Sequence, residues 1–333
     1  MVTTCMRAIE WTFRMQPLAR VHPLYPNSNV SRLKMTSETS SDDPGDLKKA
    51  LWNAFDLSFN LRGIGWNWPY IGLQIPPETR PTETAPAFAW AVLTSAIKHA
   101  LLLDVLQYII QSLSPSTFGS PAGGTIFVSS LPPFYRYTYS SFVSLLSGLV
   151  IYCAIQVGYD FCTLIGIILF RQYPSQWPPI FNEPWRSTSL SEFWAQRWHQ
   201  LFRHCFITIG GRPFAWLIGR SGVVMGVFLT SGLLHDLGMW GMGRGMEFWS
   251  VSGFFLMMGI GVLVEGMWKS ISGEKTRGWV GWTWTMFWVI GWSHILADAW
   301  FRRGLAGSTF IPESSRPSKI FVYHMLRIHS TFS

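Results

Sequence analysis

Two histidines, His199 and His235, carry the chemistry this chain is equipped to do. The first ends Phe193-Trp194-Ala195-Gln196-Arg197-Trp198-His199, a segment dense in tryptophan and arginine. The second closes an apolar run at Ser231-Gly232-Leu233-Leu234-His235, just before Asp236. A neutral imidazole takes a proton from an alcohol near pH 7, which few other side chains do unperturbed. Burial at the end of an apolar helix favours that neutral form. Two readings of His235 stand at this point. It is a general base against a substrate tunnel, or a histidine bonded across helices or seated at the membrane interface. Asp236 is not expected to orient the ring, because adjacent helical residues diverge by about 100°.

The residues around His199 also admit two roles. Arg197, Arg203 and Arg212 suit phosphate groups, which guanidinium grips bidentately; equally, they suit anchoring on the cytosolic side of a membrane. Trp194 and Trp198 read as interfacial anchors or as substrate contacts. In a helix, Phe193, Arg197 and Gln200 share one stripe, and Trp194, Trp198 and Leu201 another, as for a helix along the bilayer edge. No metal site is expected, since His199 and His204 are off a shared helical face. There is no Gly-x-Ser-x-Gly elbow, and Gly238 to Gly243 lacks the strand and lysine of a phosphate loop. Cys5, Cys153, Cys162 and Cys205 show no Cys-x-x-Cys pairing.

The elements that position these groups are membrane helices. Only 13% of the 333 residues are charged and 48% are apolar, with 19 Trp and 24 Phe; soluble domains carry about 25% charged residues. The composition predicts an all-α integral membrane protein, a multi-span helical bundle of about 5–7 spans. A net charge of +8 fits basic loops against an anionic leaflet. No basic stripe or module for nucleic acid is present.

Five apolar segments follow a short amphipathic helix expected over Leu47 to Leu61. They are Phe88 to Ile110, a stretch within Ser141 to Phe170, Phe214 to His235, Phe248 to Trp268, and Trp279 to Phe301. The second exceeds the ~20 residues one span needs, so it is tilted or broken. Residues 1–46 read as a polar, disordered tail without a cleaved signal, and residues 306–333 as a basic tail. Asp104, Asp160 and Glu265 fall in apolar runs and must find partners; Lys98 is expected to snorkel or pair. Arginines from Arg171 to Arg212, and Lys269, Lys275 and Arg277, put two loops on the cytosolic side. Arg302 and Arg303 then fall on the wrong side of a five-span count. A half span hidden in Ser141 to Phe170 or Phe193 to Gly211 is one remedy.

Phe193-Trp194-x-x-Arg197-Trp198-His199 followed by Ser231-Gly232-Leu233-Leu234-His235 resembles the membrane-bound O-acyltransferase superfamily. It is most similar to the wax-synthase-like branch, whose fungal members acetylate terpenoids and meroterpenoids. Arg62-Gly63-Ile64-Gly65-Trp66 and the stretch from Trp284 to Trp300 also look like that branch, so residues 47–305 are expected to form the domain. The resemblance implies that His235 is the catalytic histidine and His199 a second polar catalytic residue. It implies that the bundle surrounds a substrate tunnel, with acetyl-CoA as a co-substrate entering from the cytosolic face and no permanently bound cofactor. The acceptor is then a lipophilic alcohol and the location the endoplasmic reticulum membrane. Relatives usually carry additional spans ahead of the Arg62 segment. The rival readings are a wax or sterol ester synthase using long-chain acyl-CoA, and a non-catalytic transporter or scaffold with Asp104, Asp160 and Lys98 lining a path. No inverted repeat of the transporter kind is visible. Shared chemistry also sets a geometric demand. Either Phe193 to Arg203 dips into the bilayer, or the third span begins before Phe214.

Overall fold

The computed structural model describes residues 2–12, 17–20, 47–68, 74–309 and 311–332. Among these the structure is helical, apart from one bridge between Arg20 and Trp66. Helix α1 spans Val2–Thr12 and α2 spans Leu47–Phe59. Helix α3 (Ala85–Leu113) opens on Thr84, whose side chain accepts the Ala87 amide, with Pro86 in the first turn. Both features suit a helix start. Helix α4 (Pro133–Ile168) is continuous over 36 residues, about 54 Å at 1.5 Å per residue, against a hydrocarbon core of about 30 Å. The long second segment is therefore unbroken, and tilt is the reading that remains.

Helices α3 and α4 form a hairpin. Leu103, Leu106 and Ile110 pack on Val143, Leu146 and Cys153, closed by Phe118, Ile126 and Phe301. Trp90, Leu93, Ile97 and Leu101 are exposed at helical spacing along the outer face, as lipid contact requires. A second core joins Phe228 and Met239 of α7 (Arg212–Gly241), Val251, Phe255 and Met258 of α8 (Phe248–Ser272), and Leu296 and Ala299 of α9 (Gly278–Arg302). Four of the helical stretches are long and apolar enough to cross a membrane: Ala85–Leu113, Pro133–Ile168, Arg203–Gly241 and Phe248–Ser272. Helix α9, richer in tryptophan, packs against α8 and α4.

The third stretch is not a single span. A helical turn α5 (Leu190–Glu192) runs into a π-helical turn, Phe193–Arg197. After a loop, α6 (Arg203–Phe206) continues through a second π-helical turn, Ile207–Gly211, into α7. Helix α7 breaks at Ile218 and Gly219, where Gly219 takes φ 62°, a left-handed value glycine adopts without strain. The chain folds back there, so residues 203–217 form an arm antiparallel to residues 220–241. The arm lies close: a β-carbon on Gly210 would sit 2.1 Å from the Gly226 carbonyl oxygen, and one on Gly222 2.0 Å from that of Phe214. Small residues that let backbones approach are how membrane helices pack. The helix expected over Phe193 to Arg203 is thus a π-helical turn followed by a loop, and the antiparallel arm begins within the second place allowed for a half span.

Both ends depart from the tails read from sequence. Residues 2–12 form α1, whose Arg7 and Glu10 are buried and ion-paired; residues 13–16 and 21–46 lie outside the described residues. Helix α10 (Pro317–Phe332) is led by Arg316, fully buried against Asp104 at 2.8 Å. Asp160 accepts from Ser95 and Gln156, and Glu265 from the Leu190 and Ser191 amides, so each buried carboxylate has its partner. Arg302 pairs with Asp298 and Glu247, and Arg303 with Glu247. Paired in this way they do not count as free positive-inside charges.

Candidate active site

Helix α7 presents His235 between two aromatic rings, Phe255 of α8 at 4.5 Å and Trp300 of α9 at 6.3 Å between centroids. Its Nδ1 lies 2.7 Å from the Ser231 carbonyl oxygen. A carbonyl only accepts, so Nδ1 carries the proton and donates. In the neutral ring the lone pair is then on Nε2. One turn of helix thus selects the tautomer that can act as a base. The neighbouring Asp236 is fully buried and accepts the Glu247 amide through one oxygen, which ties α7 to the start of α8.

His199 arrives by the irregular route before the arm. Trp198 follows the first π-helical turn, its ring stacked on Phe193 at 5.6 Å and 13°. Phe181 packs edge-on against both Trp198 and His199. The His199 Nδ1 is buried with no hydrogen-bond partner among the described residues. Burial, with smaller pushes from His235 and Arg62, lowers its pKa to about 3, so this ring is neutral too. A chain of ring contacts, His199 to Trp198 to Trp194 to Phe255 to His235, joins the two histidines. Trp194 lies between them, touching Phe228, Phe254 and Phe255 on one side and Trp198 on the other. Its indole Nε1 is buried without a partner among the described residues.

The three arginines separate. Arg197 is held by Glu192 at 2.6 Å and by the Asn182 carbonyl at 3.1 Å. Arg203 donates to the Ala195 carbonyl at 2.8 Å. Both fasten the irregular segment to itself, a role the sequence reading did not give them. Arg212 is exposed at the foot of α7, and Arg220 is exposed just beyond the break. Among the described residues, no three His, Cys, Asp or Glu side chains gather as a metal site.

Residues that sequence reasoning passed over complete the surroundings. Arg62 is buried and donates to the Pro178 and Pro179 carbonyls and to the Tyr159 hydroxyl, fixing the strand of chain that carries Phe181. Gly63 beside it takes φ 68° and lies against the Trp68 ring. Phe181 and Phe255 had no signal of their own, and Trp300 was marked only as the end of the stretch that resembles the wax-synthase-like branch. The arm did: Gly222-x-x-x-Gly226 after Gly210-Gly211 is the small-residue spacing of close helix contact.

Residues 177–257 match the model of the membrane bound O-acyl transferase family, a stretch that holds both histidines and the whole arm. The chain is 26% identical to O-Mevalon transferase yanI of Aspergillus niger, over 92% of this chain and 74% of that protein. It is 24% identical to acetyltransferase ple2 of Rhodocybe pseudopiperita, over 78% of this chain and 68% of that one. A plant protein, the long-chain-alcohol O-fatty-acyltransferase of Simmondsia chinensis, is 30% identical over 30% of each chain.

Proposed function

We propose that this chain, a membrane-bound O-acyltransferase of the wax-synthase-like branch, moves an acetyl group from acetyl-CoA to a hydroxyl of a lipophilic secondary metabolite of terpenoid or meroterpenoid type. The observation that carries this reading is the Nδ1 bond of His235 to Ser231, which leaves Nε2 as a base beside a second neutral histidine. His235 Nε2 takes the hydroxyl proton as the alcohol oxygen attacks the thioester carbonyl. His199 positions the alcohol. The tetrahedral intermediate collapses with loss of CoA thiolate, which needs little acid assistance because a thiol pKa is about 8.5; the proton held by His235 then returns to it. No covalent acyl-enzyme is involved. Trp194 and Trp198 wall the acyl and alcohol site. Arg212 on the arm, with Arg220 just past its reversal, meets the CoA phosphates on the cytosolic side. The enzyme works in the endoplasmic reticulum membrane, with residues 47–305 as its domain.

The test is transfer of labelled acetyl from acetyl-CoA to a panel of hydroxylated terpenoids by microsomes carrying the chain. Product with the wild type and none with His235→Ala supports the reading; equal turnover by the two sinks it. A second reading, ester synthesis from long-chain acyl-CoA, draws on the similarity to the Simmondsia enzyme. Comparing acyl-CoA chain lengths in the same microsomes separates the two.

A further inference from the structure

Trp300 has an indole N–H with no acceptor among the described residues. Along α9 three other indoles find acceptors: Trp282 donates to the Trp185 carbonyl at 2.8 Å, Trp284 to Glu265 at 3.1 Å, and Trp288 to the Met257 carbonyl at 3.0 Å. The Trp300 Nε1 is buried and has no partner among the described residues. A buried donor left unpaired costs stability, so it calls for a reason. Its position offers one. The ring stacks on His235, 20° from parallel.

The position is also rigid. Two residues earlier, Asp298 accepts from the Thr125 hydroxyl at 2.6 Å and the Ile126 amide at 3.0 Å. Two and three residues later, Arg302 and Arg303 are tied to Glu247. The Trp300 carbonyl itself accepts the Leu305 amide. A donor fixed in place before the substrate arrives does not have to reorganise during the reaction, which is what makes such a group effective on developing charge.

We infer that Trp300 is a catalytic residue, donating its indole N–H to the thioester carbonyl oxygen as that oxygen gains negative charge. This rests on the acyl-transfer reading above. When the alcohol oxygen bonds to the carbonyl carbon, the C=O π pair moves onto oxygen and the alcohol proton passes to His235. The Trp300 N–H bond strengthens at that moment and weakens again when the pair returns and the C–S bond breaks. Trp300 neither gains nor loses a proton.

Trp300→Phe keeps a ring and removes the donor. It is expected to lower kcat about 100- to 1,000-fold while KM for acetyl-CoA and the thermal midpoint in detergent stay near wild type. Trp288→Phe, which removes an indole donor already bonded to the backbone, serves as the comparison and is expected to leave kcat within about threefold. Should Trp300→Phe fail to fold, β-(3-benzothienyl)alanine at position 300 replaces N–H by sulfur without changing the ring outline, and the same loss in kcat is expected. Wild-type kcat in either variant overturns the inference, as does a rise in KM with kcat unchanged. The wild type and His235→Ala are assayed alongside. If the wild type makes no ester, the acyl-transfer reading fails; if it does and His235→Ala does not, an unaffected Trp300 variant removes only the role of Trp300.

Discussion

His235 Nδ1 and the Ser231 carbonyl oxygen, one helical turn apart, are 2.7 Å from one another. That bond is made within α7, so the tautomer the proposed base needs is set by the helix that carries it. His235→Ala is expected to lower kcat by at least 100-fold, the scale of a lost general base, with membrane insertion unchanged. His235→Gln keeps a polar side chain but no base and is expected to be as inactive. Labelled acetyl transfer in microsomes, normalised to protein in the membrane fraction, checks both.

The arm stands or falls with its glycines. Gly210→Ala drives a methyl group toward the Gly226 carbonyl and the Thr230 hydroxyl, each 2.1 Å away. Overpacking of this kind costs about 1–3 kcal/mol, and displacement of the arm carries His199 with it. Thermal stability in detergent and kcat are expected to fall together. Gly238→Ala, on the same helix with nothing near its added carbon, is expected to change neither.

Arg197 and Arg212 are expected to fail differently. Arg212→Ala removes an exposed charge from the arm, raising KM for acetyl-CoA about tenfold, or 1.4 kcal/mol, with an unchanged thermal midpoint. Arg197→Ala deprives Glu192 and the Asn182 carbonyl of their donor, so the midpoint falls. Initial rates over a range of acetyl-CoA concentrations, with parallel melting curves, separate the two.

Acid is expected to destabilise the fold through His199. Its pKa drops from an ordinary 6.5 to about 3 when the chain folds. Below pH 6.5 the unfolded chain binds a proton that the folded one refuses. The stability this group contributes is therefore fully present above pH 6.5 and is lost as pH falls toward 3. Melting curves from pH 7 to pH 4 are expected to show a decline that His199→Asn makes shallower.

Arg316 and Asp104 are both buried, with 1% of each side chain accessible. Removing one partner of such a pair leaves a charge stranded, at about 3–5 kcal/mol. Arg316→Met is expected to lower the thermal midpoint sharply, and the double variant with Asp104→Asn to recover part of the loss.

The spans were legible in the sequence because their signal is composition over ~20 residues. Four of the five expected segments coincide with long continuous helices. Phe214 to His235 was the exception, and its misreading has a definite cause. A hydropathy window sees an apolar stretch from Arg203 to Gly241 and cannot see that Ile218 and Gly219 reverse it. The two histidines were also legible, by residue type and the cost of placing them at a membrane helix. What surrounds them was not. Phe255 and Trp300 reach His235 from two other helices, and nothing along the chain marks contacts between residues so far apart. The tails were misread for a related reason. Polar residues such as Arg7, Glu10 and Arg316 look solvated until their partners are brought to them: the Leu57 and Asn60 carbonyls to Arg7, His204 and Cys205 to Glu10, and Asp104 to Arg316.

The hairpin between residues 203–217 and 220–241 has a consequence for how such a chain tolerates change in length. Each residue added to or removed from the arm slides the chain ahead of it by about 1.5 Å and turns it by about 100°. The arm is therefore a ruler whose zero is the Ile218–Gly219 reversal and whose reading is the height of His199 beside His235. Insertions at the reversal leave that reading alone, whereas a single deletion between Gly211 and Leu217 shifts it. Length variation near this site should be found at the tip and nowhere along the arm.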